Sequence, residues 1–457
     1  MYGLRWGSIT RDVFERAFRL KEHGTTIRRE VVAGLTTFAA MAYILAVNPG
    51  ILKAAGMPGD ALVTATALGA ALATVLMAAM TNFPLALAPG MGINAFFAYT
   101  ICVGMGIPWQ SALGLVFING CLFLLLSVTG IRQRILASIP LDLKVAIAAG
   151  IGLFIAFIGL ENGGLVVANP ETLVALGDLS SPPVLLFGAG ILLTCVLVAR
   201  GIPGAIILSM LVLTVAGLFV PAAGGGTVTQ WPGKIFSWPA SIEPLFLKLN
   251  FDFLLAEHLK AIPVVLTLLL VDLFDNLGTL IGVTRRAGIM DEKGNVPKLG
   301  NALVADSIAA ILSSLLGTST VVSYIESAAG VQAGGRTGLT AITVAVCFLA
   351  ALFVTPVILM IPGVAVAPAL VAVGLVMFQS VTELKLDHFE IAAPAMLTIL
   401  FMPLSFSINT GIGIGLITLV VLGLFAKPRR FDIVTAILAA LFVLHFLEPG
   451  LRKLSAH

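Results

Sequence analysis

The chain has 457 residues, of which 59% are hydrophobic and only 11% are charged, and its formal net charge is +3. A soluble globular domain carries about 25% charged residues, so this composition excludes a chain that folds in water, and the small net charge indicates no nucleic-acid partner. Apolar runs recur along the whole chain, each long enough, at about 18 residues or more, to cross the hydrocarbon core of a bilayer. The sequence therefore predicts an all-α polytopic membrane protein.

Residues 1–29 form a charged segment ahead of the first apolar run. They contain no short apolar core before a cleavage site, so we expect no cleaved signal peptide, and the first span itself should direct insertion. The four cysteines stand far apart inside apolar runs, with neither disulfide nor metal-ligand spacing. We therefore expect buried thiols, no metal site and no cofactor.

The apolar runs predict fourteen spans. These are residues 31–52, 60–80, 84–101, 109–128, 142–160, 183–200, 203–221, 261–284, 299–316, 318–333, 337–359, 363–381, 388–404 and 408–426. Basic residues such as Arg132, Arg285 and Arg429 follow the even-numbered spans, whereas the opposite short loops hold only Lys53. Because basic residues favour the cytoplasmic side, we expect a protein of the inner (plasma) membrane with a cytoplasmic N-terminus.

Two segments do not fit this scheme of spans. Residues 222–260 contain Trp231, Trp238 and mixed charges, and we expect an external interfacial helix that connects two halves of the chain. Residues 431–448 are apolar but only just long enough to span, and we expect them to lie against the bundle or at the interface.

The predicted spans divide into two sets of seven, in residues 30–221 and 261–426, and residues 427–457 form a C-terminal segment. Since seven is an odd number, two such repeats would be inverted relative to each other. Proline and glycine interrupt the third span, and the tenth begins with a β-prone run at 317–323. Interrupted spans at matching places in two halves indicate a transport site at the bilayer midplane.

Three acidic residues are predicted to lie deep inside spans. Asp272 and Asp275 are three residues apart and share one face of the eighth span, and Glu326 lies in the tenth. A carboxylate at mid-membrane costs about 2.5–3.5 kcal/mol on insertion scales. We therefore expect Asp272 and Glu326 to be functional, whereas a structural role explains Asp275 equally well. Three other acids, Asp142, Glu161 and Asp306, fall nearer to span ends.

Two separated carboxylates, an amide and interrupted helices suit a planar heterocycle with several N–H donors. A carboxylate accepts two parallel N–H bonds from a ring edge, and the Asn94 amide both donates and accepts. Phe96, Phe97 and Phe274 are candidates to stack on the ring, with packing in the core or against lipid as the alternative. A buried carboxyl also takes up a proton readily, so proton coupling is compatible with the sequence.

Motifs in four spans carry a family resemblance. They are Glu30 with residues 33–38, 41–44 and 47–49 in the first span, 88–95 in the third, 272–275 with 278–279 in the eighth, and 323–331 with 334–339 in the tenth. With these motifs, nearly the whole chain resembles the AzgA-like hypoxanthine/guanine/adenine permeases of the nucleobase–ascorbate transporter superfamily. The resemblance implies a seven-plus-seven inverted repeat with a core and a gate domain, and short antiparallel strands in segments 3 and 10.

The resemblance also implies a function. It implies import of adenine, guanine and/or hypoxanthine by proton symport, through an elevator-like movement of the core in a homodimer joined by the gate domains. Asp272 and Glu326 would hold the purine, Asn94 and Gly92 would line the site, and Asp275 would support it. To these we add Phe96 as a substrate-binding residue, and as supporting or proton-coupling residues Ser323, Tyr324 and Thr279.

Two departures from the family pattern leave substrate preference and gate details open. Asn276 stands where a small residue such as Thr or Ser is expected, and Asn409 with Thr410 where an acidic residue is expected. One alternative is a permease for another nucleobase, uracil or xanthine. A second is an anion transporter of the same fold, although sulfate-type relatives would lack the paired acids. A third is a membrane enzyme with a magnesium-diphosphate site, which would need a second acidic cluster. We expect a transporter with no catalytic residues.

Overall fold

The computed structural model describes residues 15–129, 139–222, 225–289, 296–384, 386–425 and 432–455. Within these ranges, nine helical segments are long and apolar enough to cross a membrane. The basic loop residues Arg132 and Arg429 lie outside the described residues, as do the side chains of Phe274, Asp275 and Arg285.

The first half of the chain is mostly helical. Its elements are α1 Ile27–Met41, α2 Ile44–Lys53, α3 Gly59–Thr81, β1 Leu87–Pro89, α4 Met91–Ala95 with a π-helical continuation Phe96–Gly104, α5 Trp109–Thr129, α6 Leu141–Asn162, β2 Val166–Asn169, β3 Leu173–Leu176, α7 Pro182–Ala199 and α8 Ala205–Gly217. The strands β2 and β3 form an antiparallel hairpin in the loop after α6, which the sequence reading had not predicted.

The second half has a similar order of elements. These are α9 Asp252–Ala256, α10 His258–Arg286, α11 Leu299–Leu316, β4 Val321–Ser323, α12 Ser327–Gln332, α13 Gly338–Ala351, α14 Thr355–Leu359, α15 Gly363–Phe378, α16 Phe389–Leu404, α17 Ile408–Phe425 and α18 Ile433–Ser455. A 3₁₀ turn, Leu352–Val354, joins α13 to α14, and another, Gln379–Glu383, extends α15.

A buried pair of short strands brings the two interrupted segments together. Strand β1 pairs antiparallel with β4, with Leu87 opposite Ser323 and Pro89 opposite Val321, and all residues of both strands are buried. Extended backbone at membrane depth must satisfy its own polar groups, and here each strand supplies the partner of the other. The short helices α4 and α12 follow β1 and β4 closely, so their first turns lie near the same point.

Close helix contacts elsewhere depend on glycine. On α6, a Cβ at Gly152 would lie 2.6 Å from the carbonyl oxygen of Gly374 on α15 and 2.7 Å from the backbone nitrogen of Phe378. Small residues let helix backbones approach closely inside a membrane. The contact between α6 and α15 therefore requires Gly152.

The substitution Gly152→Val should lower the thermal midpoint of the protein in detergent. Overpacking lowers the free energy of unfolding by about 1–3 kcal/mol where side chains give way. Because the opposing atoms here are backbone atoms, we expect a decrease at the upper end of that range. Gly188→Val in α7 is the matched control, since a Cβ there meets no atom within 4 Å. Equal midpoints for the two variants would contradict the backbone contact.

The expected interfacial helix in residues 222–260 is wrong for the described part of that segment. Residues 225–251 carry turns and irregular backbone, and only the five-residue α9 is helical before α10 begins. The glycines at 225, 226 and 233 have positive φ, and prolines at 232, 239 and 244 remove backbone donors, so a helix cannot continue. Trp238 is 84% exposed and packs edge-on against Phe353 with ring centroids 5.8 Å apart.

The C-terminal helix α18 packs on the bundle. Phe442 is fully buried, and a Cβ at Gly413 of α17 would lie 2.6 Å from its ring. Asn409 of α17 also lies 3.1 Å from Nε2 of His445, and Thr267 of α10 donates a hydrogen bond to the same amide. These contacts tie α18, α17 and α10 together.

Candidate functional site

Glu326 lines a small cavity beside the strand pair. The cavity has a volume of about 80 Å³, and its walls come from the end of β4, the start of α4, α10 and α15. Three other predicted site residues, Thr279, Ser323 and Tyr324, line the same space. The structure thus brings four of the predicted residues together at the point where both interrupted segments meet.

The Glu326 carboxylate is held by a tyrosine from the first span. The Tyr43 hydroxyl donates a hydrogen bond of 2.6 Å to Oε1 of Glu326. Tyr43 lies at the break between α1 and α2, where the helix is interrupted at Ala42 and Tyr43. We did not predict Tyr43 as a site residue, although it lies in a motif that carried the family resemblance, and its side chain is almost fully buried. It fixes the Oε1 oxygen of the carboxylate at the edge of the cavity.

The residues before Glu326 have two different roles. The Tyr324 hydroxyl donates a 2.6 Å hydrogen bond to the carbonyl oxygen of Pro89, which ties β4 to the end of β1. The Ser323 hydroxyl is buried, lines the cavity and has no hydrogen-bond partner among the described residues. Tyr324 therefore supports the site, whereas Ser323 offers a polar group to whatever occupies the cavity.

Asp272 lies outside the lining of this cavity. It is fully buried in α10, and its Oδ2 accepts a hydrogen bond of 3.3 Å from Nδ2 of Asn119 in α5. Asp272 precedes Thr279 by about two helical turns on the same face of α10. Asn119 was not predicted as a partner of Asp272, although an amide in the middle of an apolar span indicates a buried polar contact.

Asn94, Gly92 and Phe96 are buried near the cavity but do not line it. Asn94 accepts a hydrogen bond from the Ser319 hydroxyl, and its Nδ2 has no partner in the described part of the chain. A Cβ at Gly92 would lie 2.8 Å from Ile151 of α6, so this glycine permits close packing. Phe96 is completely buried in the main hydrophobic core.

Two further acids are buried, and one of them differs from its expected setting. Asp306 is 1% exposed in the middle of α11, so its placement near a span end is wrong. Glu30 is fully buried, and its carboxylate accepts hydrogen bonds from the backbone of Arg336, Thr337 and Thr340 and from both threonine hydroxyls. Glu30 thereby anchors α1 to the start of α13.

A bundle of apolar helices around paired, interrupted segments, with a half-buried carboxylate beside a cavity, defines a membrane transporter. The fold is similar to the transmembrane domain of the cyanobacterial bicarbonate transporter BicA, with a TM-score of 0.61, 16% identity and coverage of 85% of this chain and 96% of that chain. It is also similar to murine Slc26a9, an anion transporter, with a TM-score of 0.59, 12% identity and coverage of 87% and 68%. At these identities the likeness shows the fold alone.

Sequence comparison gives the family. The model described as "Permease family" (Xan_ur_permease) matches residues 28–414. Adenine permease AdeP of Escherichia coli strain K12 is 42% identical, covering 94% of this chain and 95% of AdeP. Guanine/hypoxanthine permease PbuG of Bacillus subtilis strain 168 is 41% identical, with 94% and 98% covered. The chain belongs to this permease family and is a multi-pass membrane transporter, not an enzyme.

Proposed function

We propose that the protein imports purine nucleobases (adenine, guanine and/or hypoxanthine) by proton symport across the plasma membrane. The observation that carries the proposal is the Glu326 carboxylate, which Tyr43 holds at a cavity between the two interrupted segments. A carboxylate oriented in this way accepts N–H bonds from the edge of a purine ring. The relatives AdeP and PbuG are named as purine permeases, which supports the same substrate class.

The cavity favours a mechanism in which the helices around it move. Its volume of about 80 Å³ is well below the volume of about 300–1,000 Å³ that small-molecule sites have. Val373 and Met377 of α15 line the same cavity as Glu326. We therefore propose an elevator-like mechanism in which the gate, including α15, and the core, including β1 and β4, separate to admit the base.

The remaining expectations belong to the same proposal. Asp272, Asn94, Gly92 and Phe96 would contact the purine once the cavity widens, and Asp275 would support them. The fourteen-span inverted repeat, the cytoplasmic N-terminus and a homodimer joined through the gate domains complete the architecture that the family resemblance implies. The buried position of Asp272 makes it, with Glu326, a candidate carrier of the coupled proton.

Uptake of radiolabelled adenine, guanine, hypoxanthine, xanthine and uracil into cells that express the chain tests this function. We expect saturable purine uptake that collapses when a protonophore removes the proton gradient. Uptake that survives the protonophore would remove proton coupling and leave the permease. Uptake of uracil or xanthine alone would reassign the substrate. If folded protein in the membrane transports no base, the anion-transporter alternative becomes the better explanation.

A further inference from the structure

A larger cavity lies apart from the one that Glu326 lines. It has a volume of about 350 Å³ and lies between the end of α2, the π-helical segment Phe96–Gly104, the end of α6 and the start of α15. Among its described lining residues, Lys53, Tyr99 and Asn162 are polar, and the others are apolar residues or glycine. Small-molecule sites have volumes of about 300–1,000 Å³ and apolar walls with a few placed polar groups. We call this cavity the outer chamber.

The polar groups of the outer chamber suit a neutral ring with a mixed edge. Nδ2 of Asn162 donates a hydrogen bond of 3.1 Å to the Tyr99 hydroxyl oxygen. That arrangement leaves the Tyr99 hydrogen to donate and Oδ1 of Asn162 to accept, and the Lys53 ammonium is a further donor. No carboxylate belongs to the described lining, so the lining supplies no negative charge to balance a cation. A heterocycle with neighbouring carbonyl and N–H groups matches these donors and acceptor.

The two cavities follow one another along a single helix face. Val366 and Leu370 of α15 line the outer chamber, whereas Val373 and Met377 line the cavity of Glu326. Spacings of four, three and four residues place all of these side chains on one face of α15. At about 1.5 Å per residue, equivalent positions of the two cavities are about 10 Å apart.

The wall opposite α15 shows the same succession. Tyr43, which holds Glu326, lines the cavity of Glu326, and Ala46 and Gly50 of α2 line the outer chamber. The ring of Tyr99 packs edge-on against Phe406, with centroids 5.9 Å apart, so the loop between α16 and α17 closes against this region. The chamber and the Glu326 cavity thus lie in sequence between α2 and α15.

We propose that the outer chamber is a second binding site, which takes the nucleobase from the external side before it reaches Glu326. The inference rests on the proposed function and on the predicted cytoplasmic N-terminus, which places Lys53 outside. Tyr99 and Asn162 are neutral and Lys53 is exposed to solvent. Because hydrogen bonds between neutral groups are weaker than those to a carboxylate, the outer chamber binds the base more weakly than the Glu326 site does.

Protection of a single cysteine tests the outer chamber directly. The probe is Ala54→Cys, which replaces an exposed lining residue, in a chain whose four native cysteines are replaced by alanine. A membrane-impermeant maleimide modifies it from outside, with or without added purine. We expect the purine to slow modification equally in this parent and in the same chain carrying Glu326→Gln. Adding Asn162→Ala should raise the half-protecting purine concentration about fivefold, the effect of one hydrogen bond.

The control is Leu179→Cys, an exposed position after the β2–β3 hairpin that the purine should not protect. If protection of Ala54→Cys disappears with Glu326→Gln, the outer chamber is not a binding site, because the purine then acts only from the cavity of Glu326. Absent protection in a parent that still takes up purine would also overturn it and leave the proposed function standing. A parent that neither transports nor is protected would refute both.

Discussion

Glu326→Gln should lower the kcat/KM of purine uptake by about a hundredfold or more. The amide keeps the size of the carboxylate but presents one acceptor oxygen and one donor, so it cannot accept two parallel N–H bonds from a ring edge. Hydrogen bonds to a charged group are worth about 1.5–3 kcal/mol each and neutral ones about 1 kcal/mol, so losing one bond and removing the charge from the other corresponds to about that factor. Uptake kinetics in cells, normalised to the amount of protein in the membrane, measure it.

Three comparison variants separate binding from structure in this result. Glu171→Gln changes an exposed carboxylate in the β2–β3 hairpin and should leave uptake unchanged. Tyr43→Phe removes the hydrogen bond to Glu326 but keeps the charge, so it should cost much less than Glu326→Gln. Equal losses would mean that Glu326 only anchors Tyr43. Wild-type affinity and uptake in both Glu326→Gln and Asp272→Asn would end the proposal that these acids bind the substrate.

The helices were predictable because the membrane makes apolar length a direct signal. The run predicted at 60–80 is the helix Gly59–Thr81, since a bilayer permits an isolated apolar segment few other structures. The predicted first span, 31–52, hides a break at Ala42 and Tyr43. No glycine near this break predicts it. Tyr43, which lies at the break, contacts Glu326, 283 residues further along the chain, and the local sequence does not show this contact.

The candidate site was predictable as a set of residue types but not as a set of contacts. Depth in an apolar span identified Glu326, because an ionisable residue there needs a reason. The same signal does not distinguish Glu326, which lines a cavity, from Asp272, which faces Asn119, because the difference depends on neighbouring helices. In residues 222–260, tryptophan predicts an interfacial segment, but glycine and proline decide the backbone and exclude a continuous helix.

Glu30→Ala should destabilise the whole protein without altering the purine site. The change leaves the backbone N–H groups of Arg336, Thr337 and Thr340 without their acceptor at the start of α13. Each buried donor left unsatisfied costs about 1–3 kcal/mol, so we expect the free energy of unfolding to fall by about 3 kcal/mol or more. The fall appears as a lower thermal midpoint in detergent and a smaller amount of folded protein in the membrane.

Glu30→Gln and the exposed Glu171→Ala set the scale for this loss. Gln keeps one acceptor oxygen and should fall between Glu30→Ala and the wild type, and Glu171→Ala should not move the midpoint. Because Glu30 contacts the start of α13 and does not line the cavity of Glu326, the Glu30→Ala molecules that fold should retain the wild-type KM for purine. A carboxylate that only joins α1 to α13 affects how many molecules fold and not how each folded molecule binds the purine. A changed KM at an unchanged thermal midpoint would therefore give Glu30 a role in transport.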